Sequence, residues 1–330
     1  MTQSTSDISV KLDDRVRLLS AALAATRYPD EAQKRKPHGT HAHARMTRKL
    51  LAPHANHPAI TALQAMLDQG APLEALFTLA LVMHEGKIDK PPRWMPSHWD
   101  EQLNDFYIVS GLDQWWQNEA GAWEKALADS QRMFEQVQFK SFLQPYLGVI
   151  RERLIFIPNI SYPTDYELGL RIGSDLVCII PPRLAWGESP PWPFDEDPAH
   201  IYRSSLAQYA RILMTSYLKD HAEQISDIAN TPLPVTDKYK ALYPTWSEQF
   251  ANLFVMGAVA IYLEDHVSPA EAKSYVLMAR KVQGLEVLPG VINVFRHYLR
   301  ELEAGRYQSM LDLLPNFSRR LKIANRIVTL

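Results

Sequence analysis

Only one stretch of this 330-residue chain carries β signals, and the rest reads as helix. "ERLIFIPNI", "YELGLRIG" and "DLVCIIPP", between residues 151 and 182, are short β-branched or apolar runs separated by Pro, Gly and Asp. That is the pattern of three strands of a small sheet. Helices, a small sheet, then helices is the order of an α+β fold that is predominantly α. At 46% hydrophobic content, a chain of this length can bury a sizeable core in one large domain or two lobes.

The flanking segments support the helical reading. "LDDRVRLLSAALAATRY" repeats apolar residues at three- and four-residue steps through Leu12, Val16, Leu19, Ala22 and Leu23. "HARMTRKLLAPHANHPAITALQAML" predicts two helical pieces broken at Pro53 and near Pro58. "APLEALFTLALVMHEG" opens on Pro72, ends at Gly86 and is apolar almost all round, which predicts a central helix. Residues 100–148 read as long helices rich in Trp and Phe. After the sheet, helices are expected over 199–224, 238–265, 268–283 and 286–304, with a basic terminal helix from about 316. Residues 1–8 are Ser/Thr/Asp-rich and read as a frayed, disordered tail.

Charge is nearly balanced, 35 basic against 37 acidic residues, so nothing argues for nucleic acid or an anionic membrane as the main partner. The single cysteine, Cys178, lies in an apolar run and reads as an inert core residue. With no signal peptide pattern and no membrane-length apolar run, the expected location is cytoplasmic.

Three histidines in "HGTHAHARM" look like metal ligands. Yet if His41 starts a helix, His43 points about 200° away from it, so the two cannot share an ion there. The surrounding "EAQKRKPHGTHAHARMTRK" is strongly basic, which opposes a cation. His38, His41 and His43 therefore read as a solvated or capping turn. "MHEGK", from His84, starts like the zinc motif H-E-x-x-H but has Ile88 where the second His belongs. No H-E-x-x-H occurs in the chain.

Several segments nevertheless carry a family resemblance: "VRLLSAALAATRYPDE" with "HANHPAI", "FYIVSGLDQWWQNEAGAWEK" with "FLQPYLG", and "FVMGAVAIYL" with "GLEVLPGVINVFRHYLRELEAGRYQSMLDLLPNF". In order and spacing, over nearly its whole length, the chain resembles a bacterial group of gluzincin-like proteins catalogued as a domain of unknown function. The resemblance implies a zincin-like fold, with an N-terminal helical lobe over 9–150 and a zincin-like region over 151–330. That region would comprise the sheet at 151–182, the active-site helix at 199–224 and C-terminal helices at 238–330, all in one structural unit.

In such peptidases two histidines at i and i+4 bind zinc, a Glu beside the first is the general base, and a later helix supplies a third ligand, Glu. The alignment puts Ala207 and Arg211 where the histidines would be, Gln208 at the base and Asn252 at the third ligand. Ala207 has no donor atom, and Arg211 has no lone pair and stays cationic. Gln208 cannot accept a proton at neutral pH, and Asn252 offers only a neutral carbonyl oxygen. Such a site does not hold zinc usefully, so no metal or cofactor is expected.

If the helix is central, Gln208, Arg211 and Asn252 are buried or cleft-lining polar groups, and Arg211 would pair with Glu248 or a ligand carboxylate. The Trp/Pro-rich loops "PPRWMPSHW" and "WGESPPWPFDEDP" offer Trp94, Trp186 and Trp192 as the rim of a groove for an extended peptide. The leading expectation is a non-catalytic, metallopeptidase-like protein that binds a peptide or protein. One alternative is a hydrolase with a metal site rebuilt from His200 or the N-terminal histidines. Another is a helical scaffold with no ligand site.

Overall fold

A computed structural model describes residues 6–35, 39–184 and 193–328, with side chains as far as Lys322. The chain is predominantly helical with one small mixed sheet. It divides into two compact units, residues 1–137 with 152–201, and residues 138–151 with 202–330. This division is not the expected one at residue 150, because the chain passes between the units three times.

In the first unit, β1 (Ile8–Val10) precedes α1 (Asp14–Ala25), α2 (Tyr28–Arg35), α3 (Ala42–Leu51), α4 (Pro58–Asp68) and α5 (Leu73–Val82). Then come α6 (Trp99–Val109), α7 (Leu112–Asn118) and α8 (Ala120–Phe134). α9 (Phe139–Leu147) belongs to the second unit, and the first resumes with β2 (Arg153–Pro158), β3 (Leu168–Ile172) and β4 (Asp175–Ile180).

The sheet order is β1-β2-β4-β3, with β1, β2 and β4 parallel and β3 antiparallel at the edge. All residues of β2 and β4 after the first are buried, as parallel strands covered on both faces must be. Cys178 is buried within β4, as its apolar surroundings predict. On β3 the apolar side chains Leu168 and Leu170 are buried, whereas Arg171 is exposed and ion-paired with Glu152 at 3.0 Å. Gly173, at φ 57°, supplies the left-handed turn of the β3–β4 hairpin.

The fourth strand, β1, corrects the expectation of three. Its three residues carry no periodicity of their own. Pairing supplies the order, with Ile8 opposite Leu154, and the Asp7 N–H donates to the Val137 carbonyl at 3.3 Å. The expectation of a disordered tail over 1–8 is therefore corrected for Ser6–Ile8, where the Ile8 N–H also donates to the Ser6 hydroxyl at 3.1 Å, and residues 1–5 lie outside the described residues. α5 is as central as its all-round apolar sequence predicts, with Leu76, Phe77 and Ala80 essentially inaccessible and the helix packed against α1 and β3.

The second unit continues with α10 (Pro198–Asp220, of which 198–201 lie in the first unit), α11 (Ala222–Ala229) and α12 (Asp237–Leu242). α13 (Trp246–His266), α14 (Pro269–Gln283), α15 (Leu288–Glu303) and α16 (Met310–Val328) complete it. The helix expected over 238–265 is broken at Tyr243–Thr245, where Pro244 disfavours helical geometry in the residue before it. Among the described residues no helix is long and apolar enough to cross a membrane.

α13 is buried all round. A Cβ built on its Gly257 would lie 2.7 Å from the Phe295 ring and 2.9 Å from Val291. Gly257→Val is therefore expected to cost about 3 kcal/mol by overpacking. The measurement is a urea unfolding curve, with a lower midpoint at unchanged slope.

Candidate functional site

α10 presents two distinct faces. Leu206, Tyr209, Ala210, Leu213, Met214 and Leu218 are buried, while Ala207 and Gln208 are half-buried and Arg211 is exposed. Of the expectation that Arg211 is buried or cleft-lining, the buried alternative is thus corrected, because its position falls on the outward arc of the helix. α10 and α13 meet through aromatic rings, with Tyr202 and Tyr262 at 5.9 Å between centroids. Phe139 of α9 lies between them, 6.2 Å from Tyr209 and 5.1 Å from Tyr262.

Asn252 is buried on α13 and fully engaged. Its Oδ1 accepts from the Tyr239 hydroxyl at 2.8 Å, and its Nδ2 donates to the Tyr243 hydroxyl at 3.0 Å. Gln249 adds a bond from Nε2 to the Tyr243 carbonyl at 3.0 Å. Burial pushes the Tyr239 hydroxyl far above the ordinary phenol range, so it remains a donor at any physiological pH. Tyr239 and Tyr243, four residues apart on and just after α12, were not among the residues singled out from sequence. Their spacing puts two hydroxyls on one side of that short helix, which is the only local signal they carry.

Glu248 does not reach Arg211 for a salt bridge. It is the N3 residue of a capping box at the start of α13: its carboxylate accepts from the Thr245 N–H and hydroxyl, each at 2.8 Å. These bonds hold its pKa below the ordinary glutamate value. His200 is also anchored by the backbone, with Nε2 3.1 Å from the Pro181 carbonyl oxygen and its own N–H donating to Asp197. Among the described residues no group of three His, Cys, Asp or Glu side chains is arranged to hold a metal ion.

Of the three rim tryptophans, Trp94 is exposed in the loop before α6. Trp186 and Trp192 lie outside the described residues, as does His38.

His41 and His43 stand at a helix start, as the solvated-or-capping-turn expectation has it, but neither side chain is solvated. His41 is the N-cap residue of α3, but its side chain makes no capping bond and is 1% exposed. His43 turns inward, and its Nε2 lies 3.1 Å from Oε2 of Glu119, at the junction of α7 and α8. The approach is too poorly aligned for a hydrogen bond, so the two atoms are close without being well paired.

Arg17 of α1 closes this cluster. Its guanidinium sits 4.2 Å from the Trp116 ring centroid and 4.8 Å from that of Trp123, with Nη2 3.8 Å from Glu119 Oε1. The Trp123 indole N–H donates to the same Oε1 at 2.7 Å. Burial pushes the Glu119 carboxyl up to about 7, against the pull of Trp123 and Arg17. Burial, with the charges of Arg17 and His41, pushes His43 down to about 4. The arrangement can therefore store a proton on Glu119 while His43 stays neutral. Glu119 escaped the sequence reading because it is far from the histidines along the chain.

Comparison with known protein families, with characterised proteins and with solved structures finds no match to this chain.

Proposed function

We propose that this protein is a metal-free, non-catalytic relative of the gluzincin peptidases that acts by binding a peptide or protein segment. The reading rests on the family resemblance and on the state of Asn252. The residue aligned with the third zinc ligand has both polar side-chain atoms taken by Tyr239 and Tyr243, so it serves the packing of α12 on α13. Ala207 and Arg211 supply no lone pair for a cation, and Gln208 supplies no base. The mixed sheet followed by a long helix agrees with the order of elements that the resemblance implies. The solvent-exposed Trp94, held in a proline-stiffened loop, is a surface suited to an extended chain.

Two measurements on the purified protein test this. Metal analysis after dialysis against zinc is expected to show far less than one zinc per chain. Fluorescein-labelled casein is expected to gain anisotropy on adding the protein and to remain uncut on prolonged incubation. Stoichiometric zinc, or casein fragments that disappear with a chelator, would reject the proposal in favour of a rebuilt metallohydrolase.

A further inference from the structure

The strongly basic stretch around the histidines opposes a cation, and the fold gives part of it a cavity. A pocket of about 520 Å³ in the first unit is lined by Arg45, Arg48 and Lys49 of α3, with Gln33 and Thr40 before them and Tyr162 after β2. Among the described residues that line it, none is acidic. The three cations stand at i, i+3 and i+4, so they share one face of α3. Like charges at that spacing repel, and an anion bound between them relieves the repulsion.

Each cation is held differently. Arg48 Nη2 donates to Asp30 at 2.6 Å, and Asp30 does not line the pocket. That bond uses one of the five donors a guanidinium carries. Arg45 is oriented by its Nη1 bond to the Thr40 carbonyl at 2.6 Å. Lys49 is exposed and has no ion-pair partner among the described residues.

Tyr162 faces these cations from another segment. It is 4% exposed and lines the pocket, yet its hydroxyl makes no hydrogen bond among the described residues. Buried Asn159 fixes its backbone: Nδ2 donates to the Tyr162 carbonyl and Oδ1 accepts from the Ser161 N–H, each at 3.1 Å. Burial pushes the hydroxyl up to about 12, so it stays protonated beside Arg48 and Arg45 and can donate. A second cavity, of about 570 Å³, shares Arg48 and Ala52 with the first and adds Asn56, Thr61 and Gln64.

We propose that this pocket binds a phosphate group, free or carried by a small organic ester. Phosphate presents several acceptor oxygens and close to two negative charges to donors that approach from α3 and from the segment after β2. A carboxylate is planar, singly charged and satisfied by one guanidinium fork. The second cavity offers hydrogen-bonding groups to the organic part of an ester. The site is separate from positions 207, 208, 211 and 252 and does not depend on the reading of them.

The test is equilibrium dialysis of the full chain against radiolabelled inorganic phosphate at constant ionic strength. The variants are Lys49→Gln, which alters an exposed side chain, and Tyr162→Phe, which removes one oxygen. Circular dichroism checks that both fold. Saturation at one phosphate per chain is expected. The lysine variant is expected to bind about tenfold more weakly, and the tyrosine variant about threefold or more. Unlabelled acetate is expected to compete at least about tenfold more weakly than unlabelled phosphate. Glycerol phosphate and adenosine monophosphate then separate the two sources. An ester that competes more tightly than phosphate identifies a small phosphoester as the ligand, and esters that all compete more weakly identify free phosphate. Uptake that never saturates, affinity unchanged in both variants, or acetate competing as well as phosphate would overturn the proposal.

Discussion

Ala207→His, Gln208→Glu, Arg211→His and Asn252→Glu, introduced together, are expected to turn this protein into a zinc binder. The first three write H-E-x-x-H onto α10, with the two imidazoles one turn apart on a face that is only partly covered. The fourth supplies the carboxylate that the resemblance assigns to α13, a helix that α10 meets at Tyr262, ten residues further along. The metal-free quadruple variant should be less stable than the parent, because Asn252→Glu removes the N–H that donates to the Tyr243 hydroxyl and puts a carboxylate at a buried position of α13. Leaving such a group imperfectly paired costs about 1–3 kcal/mol.

Zinc should restore that loss and more. At about 1,000 times the dissociation constant, binding to the folded state alone contributes about 4 kcal/mol, visible as a large rise in melting temperature. Calorimetric titration should give one zinc per chain, and the triple variant that keeps Asn252 should bind more weakly. If the quadruple variant folds, by circular dichroism, but takes up no zinc, the gluzincin alignment of α10 with α13 is wrong.

The second large effect concerns pH and the pair His43–Glu119. His43 has its folded pKa depressed, from 6.5 to about 4. Its contribution is present above pH 6.5 and is lost as pH falls toward 4. Glu119 has its folded pKa raised, from 4.5 to about 7. Its contribution is present below pH 4.5 and is lost as pH rises through 7. Between pH 4.5 and 6.5 the folded protein carries one proton on Glu119 and the unfolded chain carries one on His43. The proton counts match there, so the pair adds almost no pH dependence in the parent protein.

Single substitutions expose the hidden slopes. In Glu119→Gln only the histidine remains, and stability relative to the parent should fall by about 2 kcal/mol as pH drops from 6.5 toward 4.5. In His43→Gln only the carboxyl remains, and relative stability should fall by a similar amount, about 2 kcal/mol, as pH rises across the same window. Urea midpoints for the parent and both variants across this range provide the measurement. Differences from the parent cancel every other titrating group. Parallel curves for the two variants would show that the pair does not titrate as its burial requires.

The elements that sequence predicted well are those whose cause is local. β2 and β4 announce themselves as unbroken apolar, β-branched runs, and α5 as an apolar segment bounded by Pro72 and Gly86. That Ala207 and Arg211 offer no lone pair is likewise a matter of which atoms a side chain owns. The misses share the opposite property. β1 is too short to show a period and exists because β2 offers it a free edge. Glu248 as a potential partner of Arg211 was reasonable on helix spacing alone, but Thr245 claims it first.

The sequence by itself determined the helix–sheet–helix order and the buried character of the central helices. Periodicity, propensity and donor chemistry are all written within a few residues. Only the tertiary structure decided that Asn252 is gripped by two tyrosines. It alone turned His43 inward to meet Glu119 under Arg17 and left Leu277, Met278 and Val282 uncovered. Those outcomes depend on which distant segments share a desolvated volume once the chain has closed, and the cost of burying a charge or exposing a methyl is set by those neighbours.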